Sequence, residues 1–85
     1  MISRLLAGVV KVPLTNPQLA ALISFTFNLG IANLCRSGLL RFLNQRQYTK
    51  AAGQFPLWDH IGLYADNGLL QRRLAEQALF NTKDL

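Results

Sequence analysis

Acidic residues are scarce in this sequence, and they all lie towards one end. Four acids occur in 85 residues, and all of them follow position 58, namely Asp59, Asp66, Glu76 and Asp84. With nine Lys and Arg, the formal net charge is +5. A basic balance suits an anionic partner such as nucleic acid, an anionic membrane or a cell wall. Nucleic acid is not the expected partner, because the basic residues are scattered and the phenylalanines lie at core spacing.

Cysteine content and the lengths of apolar runs set further limits. The single cysteine, Cys35, excludes an internal disulfide and is typical of a protein made in a reducing cytosol. We expect Cys35 to be a buried small apolar residue rather than a nucleophile, because only His60 could act as its base. No apolar run approaches the roughly 18 residues that span a bilayer, so no membrane span is predicted. A hydrophobic fraction of 51% is ample for the core of one domain.

The first twelve residues resemble a short secretion signal only superficially. Their apolar run covers residues 5–10, Lys11 follows it, and no small-x-small cleavage site appears, so we expect no cleavable signal. A membrane-active helix is also disfavoured, since Arg4 and Lys11 are its only charges. The segment predicts a helix closed by Pro13. Its apolar stripe consists of Ile2, Leu5, Leu6, Val9 and Val10.

Local signals mark a central helix that begins after Thr15 and ends at Gly30. Thr15 and Gln18 have the spacing of a capping box, and Pro17 lies in the first turn, where its missing N–H does no harm. Gly30 is the residue type that ends helices in a left-handed conformation. Because residues 21–30 are apolar on nearly every side, we expect this helix to be buried all round.

The rest of the sequence predicts further helices and no β-hairpin. Ser37 is a predicted N-cap for a helix over residues 38–44, and residues 45–47 form a polar turn. Another amphipathic helix is predicted from Tyr48, Ala51, Ala52 and Phe55. Residues 31–35 are expected to be a connector and residues 59–67 a loop. The last helix, about residues 68–80 and capped by Asp66 or Asn67, is expected to be buried through Leu70, Leu74 and Ala78. The predicted fold class is therefore all-α, with four to five helices.

An ordered series of residues through nearly the whole chain resembles phage-type lysozymes, the endolysins that cut peptidoglycan. It matches the C-terminal lobe of that family only, and no single piece of it is specific. The series is Pro13-Leu14-Thr15, Gln18, Ala21-Leu22, Ser24-Phe25, Phe27-Asn28-Leu29-Gly30, Cys35-Arg36-Ser37, Leu39-Leu40-Arg41, Leu43-Asn44, Tyr48, Ala51-Ala52, Phe55, Trp58, Gly68-Leu69, Arg72-Arg73, Ala75-Glu76 and Ala78-Leu79-Phe80.

The resemblance implies a single domain whose parts have separate roles. Residues 1–12 would be the end of the helix that joins two lobes, and residues 13–85 would be the C-terminal lobe. In the family the catalytic Glu, Asp and Thr all lie in the N-terminal lobe, so none of them can be assigned here. We therefore expect no catalytic residue in this chain, and the family implies no cofactor and no metal.

Substrate contacts are what the resemblance does assign. The matching helix end lines the sugar cleft, which gives Asn28, Leu29 and Gly30 as substrate-binding residues; Asn28 could instead cap the helix or bond to Trp58. Trp58 could stack on a sugar or simply pack in the core. Arg72 or Arg73 resembles an arginine that contacts the catalytic lobe, and without that lobe it would be solvated or paired with Glu76.

The remaining acids fit structural roles better than catalysis. Glu76 follows Arg72 by four residues and Arg73 by three, which favours an ion pair within one helix. An arginine partner also favours the ionised carboxylate, the wrong form for a general acid. Asp59 and Asp66 flank the loop beside His60, where capping and solvation are the simpler roles. Asp84 lies in the tail.

Two functional hypotheses remain. The first is the glycan-cleft lobe of a lysozyme whose partner is peptidoglycan and which is inactive alone, as a truncated or remnant product. It would be made in the host cytoplasm and act in the periplasm or cell wall. The second is an interaction module that self-associates or complements a separate N-terminal lobe through an exposed apolar face.

Overall fold

A computed structural model describes residues 2–61 and 64–82 and shows an all-α fold, as predicted. Asp84 lies outside the described residues, as does the side chain of His60. Within the described part, six α-helices form rather than four to five, together with one 3-10 turn at Phe55–Leu57. The helices are α1 (Ile2–Val9), α2 (Asn16–Leu29), α3 (Ile31–Arg36), α4 (Gly38–Asn44), α5 (Tyr48–Ala52) and α6 (Asn67–Phe80).

The boundaries of α2 follow from the local signals of the sequence. Gln18 N donates to Thr15 Oγ1 over 3.2 Å and Thr15 N donates to Gln18 Oε1 over 2.9 Å, so the capping box is confirmed. At the other end Gly30 has a φ of 88°, a backbone conformation that favours glycine, and its N–H donates to Thr26 O. The same glycine begins α3, which replaces the predicted connector.

The core is built where α2 packs against α6 and the 3-10 turn. Phe25 is fully buried and meets Phe55 edge-to-face, with ring centroids 5.8 Å apart, and Phe55 in turn contacts Phe80. The expectation that α2 is buried all round is wrong, because Phe27 is 77% exposed. Its buried stripe follows the helical period and consists of Ala21, Leu22, Phe25 and Thr26.

The segment from α3 to α4 corrects the prediction for Cys35, which is exposed rather than buried. Because residues 31–36 are helical, successive side chains are about 100° apart, and Leu34 occupies the buried position. Ser37 caps α4 as predicted, since its Oγ accepts a hydrogen bond from Leu40 N and donates one to Leu34 O.

Residues 9–13 are tied to the turn between α4 and α5. Lys11 N donates to Asn44 Oδ1 over 2.7 Å, and Asn44 Nδ2 donates to Val9 O over 2.9 Å. Tyr48 Oη donates to Pro13 O over 2.9 Å. Helix α1 therefore ends before Pro13, as expected, and the start of α2 lies beside this turn.

Helix α6 presents a different face to the core from the one predicted. Asp66 caps it as expected, with Oδ1 accepting from Leu69 N over 2.9 Å. Its buried residues are Arg73, Glu76 and Phe80, whereas Leu74 is 37% exposed and Ala78 is also exposed. The prediction of a stripe through Leu70, Leu74 and Ala78 is wrong because an ion pair, not a leucine, faces α2.

The loop before α6 contains a minimal antiparallel strand pair. His60–Ile61 (β1) pairs with Tyr64–Ala65 (β2), and Asp66 N donates to Asp59 O over 2.8 Å. The expectation of a loop without any hairpin is wrong at these residues, because strands of two residues are too short to produce a periodic pattern.

Candidate functional site

The end of α2 brings together the residues that the sequence assigns to a sugar cleft. Trp58 follows the 3-10 turn and packs edge-to-face on Phe25, with ring centroids 5.7 Å apart at 83°. Asn28 lies one helical turn after Phe25 and therefore on the same side of α2. Leu29 and Gly30 follow it directly. Trp58 remains half-buried, so it both packs in the core and presents part of its ring.

Asn28 has a buried polar atom that lacks a protein partner. Its Oδ1 is buried and accepts no hydrogen bond within the described part of the chain. The helix end is capped by other groups, since Asn33 Nδ2 donates to Leu29 O over 2.6 Å and Gly30 N donates to Thr26 O over 2.7 Å. Neither alternative for Asn28, capping the helix or bonding to Trp58, satisfies this oxygen. A buried amide oxygen without a partner is unfavourable by about 1–3 kcal/mol until a donor reaches it.

Leu29 and Gly30 contribute backbone groups at an open position. Gly30 is exposed, and a Cβ placed there would meet no heavy atom within 4 Å. Gly30 O already accepts from Leu34 N over 3.2 Å, but a carbonyl oxygen has two lone pairs and can accept again. The role of these two residues in sugar binding stays a prediction.

Phe27 belongs to the helix end that resembles the wall of the sugar cleft, but it was not among the predicted contact residues. It lies directly before Asn28 and is the most exposed of the large hydrophobic residues that the structure describes. The signal was present, because Ala21, Leu22 and Phe25 define a buried stripe and Phe27 falls away from it by the helical period. An exposed aromatic ring is a surface on which the apolar face of a sugar could rest.

Arg73 and Glu76 form a buried ion pair rather than an exposed one. Arg73 Nη2 donates to Glu76 Oε2 over 2.9 Å, and Arg73 Nε lies 2.8 Å from Glu76 Oε1 at an angle unsuited to a hydrogen bond. Ser24 Oγ on α2 donates to the same carboxylate. Burial lowers the pKa of the Arg73 guanidinium, an effect that Glu76 opposes.

The arginine pair is thus divided between interior and surface. Arg73 has no exposed area, whereas Arg72 is exposed. The expected pairing with Glu76 is confirmed for Arg73. The assignment of Arg72 or Arg73 to a contact with another lobe stays a prediction, and Arg72 is the one whose side chain is accessible.

Two of the carboxylates that the structure describes, Asp66 and Glu76, have structural contacts. Asp66 Oδ1 is occupied by the cap of α6. Both carboxylate oxygens of Glu76 face Arg73, and one of them also accepts from Ser24. Among the described residues no three His, Cys, Asp or Glu side chains approach closely enough to hold a metal ion. In the same residues, no helix has the length and apolarity needed to cross a bilayer.

Comparison with known proteins identifies the family of this chain. Residues 2–76 match the family model described as phage lysozyme. The endolysin of Bacillus phage PZA is 42% identical over 73 residues, which cover 86% of this chain and 28% of that protein. The endolysin of Salmonella phage P22 is 43% identical over 75 residues, or 88% of this chain and 51% of that protein.

Solved structures show the same fold. The muramidase domain of SpmX from Asticaccaulis excentricus superimposes with a TM-score of 0.89 at 36% identity, covering 96% of this chain and 58% of that one. A P22 lysozyme mutant, L86M, gives a TM-score of 0.89 at 38% identity over 95% of this chain and 55% of that one. The sequence thus spans about half the length of these proteins, and less of some, but its own length is matched almost completely. The chain belongs to the phage lysozyme family.

Proposed function

We propose that this chain is the part of a phage lysozyme that holds the glycan strand of peptidoglycan, and that it does not break the glycosidic bond by itself. Asn28 and the backbone of Leu29 and Gly30 would contact an N-acetylated sugar, with Trp58 beside them. The site of action that this implies is the cell wall or the periplasm.

The observation that carries the proposal is the buried, unpartnered Asn28 Oδ1 near the end of α2. An N-acetyl group offers an amide N–H as donor, so one hydrogen bond would satisfy both partners. Peptidoglycan carries such a group on every sugar of its strand.

The contacts of two carboxylates support the inactivity of the chain alone. Cleavage of a glycosidic bond generally needs two carboxyl groups flanking it, one of them protonated. Glu76 is buried in its contacts with Arg73 and Ser24, and Asp66 caps α6. Neither of these two is placed to give a proton to the leaving oxygen of a sugar held at Asn28, the step that makes the reaction fast.

Binding can be measured through Trp58, because the chain has a single tryptophan and its fluorescence reports on one position. We expect chitotetraose, an oligomer of N-acetylglucosamine, to change that fluorescence, and its deacetylated counterpart to bind at least several-fold more weakly. Loss of one hydrogen bond through Asn28→Ala should weaken chitotetraose binding about 3–10-fold. Asn81→Ala, an exposed asparagine after α6, is the matched control and should leave binding unchanged. Equal binding by wild type and Asn28→Ala would contradict the proposal.

Activity needs its own measurement. Purified chain incubated with peptidoglycan should release no muropeptides above the level of a heat-denatured sample, as detected by liquid chromatography. Robust release by the 85-residue chain alone would refute the claim of inactivity, whatever the binding experiment shows.

A second candidate function is that of an interaction module, and a specific groove favours it. The groove has a volume of about 250 Å³, and its lining residues are all apolar: Leu6, Ala7, Val10, Val12, Leu14 and Leu19. With the exposed Phe27, it gives a surface through which the chain could self-associate or complement a separate N-terminal lobe.

The two forms of this alternative give different results. Self-association predicts a mass that rises with concentration in sedimentation equilibrium, and Val10→Asp should reverse it. Complementation predicts that the catalytic lobe of a related lysozyme, added in trans, restores muropeptide release. A clean monomer at high concentration that does not bind such a lobe would rule out both.

A further inference from the structure

Three of the basic residues lie in the turn between α4 and α5 or on the helices beside it, and we call them the basic corner: Arg41, Arg46 and Lys50. Arg41 is an exposed residue in the last turn of α4, Arg46 lies in the turn that follows, and Lys50 lies on α5. The backbone N–H of Lys11 is hydrogen-bonded to Asn44 at the end of α4, but its ammonium group donates to Gly8 O on α1 and is not part of the corner. All three side chains of the corner are exposed.

Two of these cations share one aromatic ring. The Arg41 guanidinium carbon lies 5.2 Å from the centroid of Phe42, and Lys50 Nζ lies 5.8 Å from the same point. Each gains a cation–π contact of about 0.5–1 kcal/mol at an exposed position. Two exposed cations are thus positioned around one ring.

Arg46 adds a third charge at a position where its residue type is not the natural choice. Its φ is +61°, and it is the sole residue other than glycine with a positive φ in the described chain. The conformation is held by hydrogen bonds from Arg46 N to Leu43 O and from Gln47 N to Phe42 O. Asparagine or glycine would adopt this backbone at lower cost, roughly 1 kcal/mol less for glycine. The turn alone therefore does not explain an arginine here.

Nothing nearby in sequence neutralises the corner, because residues 1–58 contain no acid. Its own surface also indicates which anion it suits. The large exposed hydrophobic residues, Leu5, Phe27, Leu57, Leu74 and Leu79, all lie outside it, and Phe42 is half-buried under its two cations. A bilayer surface would be met by exposed apolar side chains, and a single-stranded nucleic acid by exposed rings. A flexible, hydrated polymer of phosphodiesters needs neither.

We propose that the basic corner binds an anionic polymer with phosphodiester groups along its backbone. The surface is separate from the sugar site proposed above. Tyr48, beside the corner, is bonded to Pro13 at the start of α2, whereas Asn28 lies at the end of that helix. A 14-residue helix is about 20 Å long, so one chain could hold both polymers at once.

The test compares two double variants that remove the same charge from different places. Arg41→Gln with Lys50→Gln removes two charges from the corner. Arg4→Gln with Arg36→Gln removes two exposed charges elsewhere, since Arg4 lies on α1 and Arg36 bonds back to Asn33 on its own helix. The probe is fluorescent poly(glycerol phosphate), titrated at 50 and 200 mM salt.

We expect the corner variant to bind the polymer at least tenfold more weakly at 50 mM salt and the control variant less than threefold. The slope of log K against log salt should fall by about 1.4 for the corner variant, because roughly 0.7 is lost per contact with a flexible strand. Arg46→Asn, which suits the positive φ, should weaken binding about threefold without lowering thermal stability, and it protects the test against unfolding of the double variant.

Four results would overturn the proposal. One is the absence of polymer binding by the wild type at 50 mM salt. Another is an equal loss in the two double variants, which would mean that net charge alone acts. A third is polymer binding that is unchanged both in the Arg46→Asn variant and in the corner variant. The fourth is stronger binding, lost in the corner variant, to phosphatidylglycerol vesicles or to single-stranded DNA than to the polymer.

Discussion

Ser24 Oγ donates a hydrogen bond to Glu76 Oε2 over 2.5 Å, and so joins two residues separated by 52 positions in the chain. The same carboxylate oxygen accepts from Arg73 Nη2. The guanidinium of Arg73 in turn lies 5.4 Å from the centroid of Phe25. Helices α2 and α6 are thus fixed against each other by a polar contact embedded in the aromatic core. Such a contact has only one satisfactory alignment, whereas apolar side chains tolerate several.

Removing one partner of this buried ion pair should destabilise the fold far more than the loss of an exposed ion pair would. Glu76→Ala leaves the Arg73 guanidinium buried without a counter-charge, so we expect a loss of about 3–5 kcal/mol in the free energy of unfolding, measured by urea denaturation. Gln71→Ala, at an exposed position of the same helix, is the control and should change it by less than about 0.5 kcal/mol. A loss below 1 kcal/mol for Glu76→Ala would mean that water reaches Arg73 and that the pair is not buried in solution.

Truncation of two phenylalanines that lie two residues apart on α2 should have very different effects on stability. Phe25→Ala removes a fully buried ring and its contacts with Phe55, Trp58 and Arg73, and should lower the free energy of unfolding by about 3–5 kcal/mol. Phe27→Ala removes a ring that is 77% exposed and should change it by less than about 0.5 kcal/mol. Thermal unfolding of the two variants measures both effects. Comparable losses of stability would show that Phe27 is covered in solution, for example by a second copy of the chain.

Helix boundaries were predictable from the sequence because their causes are local. Thr15, Ser37 and Asp66 each cap the helix that follows within three residues. No distant residue takes part in these contacts, so the sequence alone is sufficient to place them. The assignment of Asn28 and Trp58 to a sugar site came instead from resemblance to a family, and it stays a prediction. The missing partner of Asn28 Oδ1 depends on how several elements pack, and the sequence gives no sign of it.

Which face of a helix is buried was predicted less well, since the packing partner decides it. On α6 the leucines suggested a buried stripe through Leu74. Instead Ser24 donates a hydrogen bond to Glu76, and Glu76 is buried together with its partner Arg73. Hydrophobicity ranks both charged residues as surface residues, and only their mutual pairing makes burial tolerable. The prediction that Cys35 is buried was wrong for a simpler reason. Its segment is helical, and Leu34 already occupies the inward position.

Two glycines test the distinction between a permissive and a required glycine. At Gly30 the φ is 88° and the ψ is 156°, a region that is open almost only to glycine, so Gly30→Ala should lower the free energy of unfolding by about 1–3 kcal/mol. Gly8 lies within α1, and an added Cβ there would meet nothing within 4 Å. Gly8→Ala should therefore raise it by about 0.5–1 kcal/mol. Calorimetry of the two variants should show shifts of opposite sign, and a destabilising Gly8→Ala would argue that α1 is packed against another surface in solution.

The capping box of α2 offers the sharpest test of whether a local signal acts locally. Thr15→Ala should lower the free energy of unfolding by about 1 kcal/mol, because Gln18 N loses its acceptor. Gln18→Ala should lower the free energy of unfolding by less, since Thr15 N lies near the surface and can donate to water instead. Thr49→Ala, at an exposed position of α5, is the matched control and should have little effect.

The double variant then separates the reciprocal arrangement from two independent bonds. Thr15 N reaches Gln18 Oε1 while Gln18 N reaches Thr15 Oγ1, so each side chain helps to hold the other in place. Loss of both should therefore cost less than the sum of the single losses, by about 0.5 kcal/mol or more in a double-mutant cycle. Strict additivity would mean that the two hydrogen bonds form independently. In that case α2 would owe its sharp start to Pro17 and to the packing of its buried stripe rather than to the box.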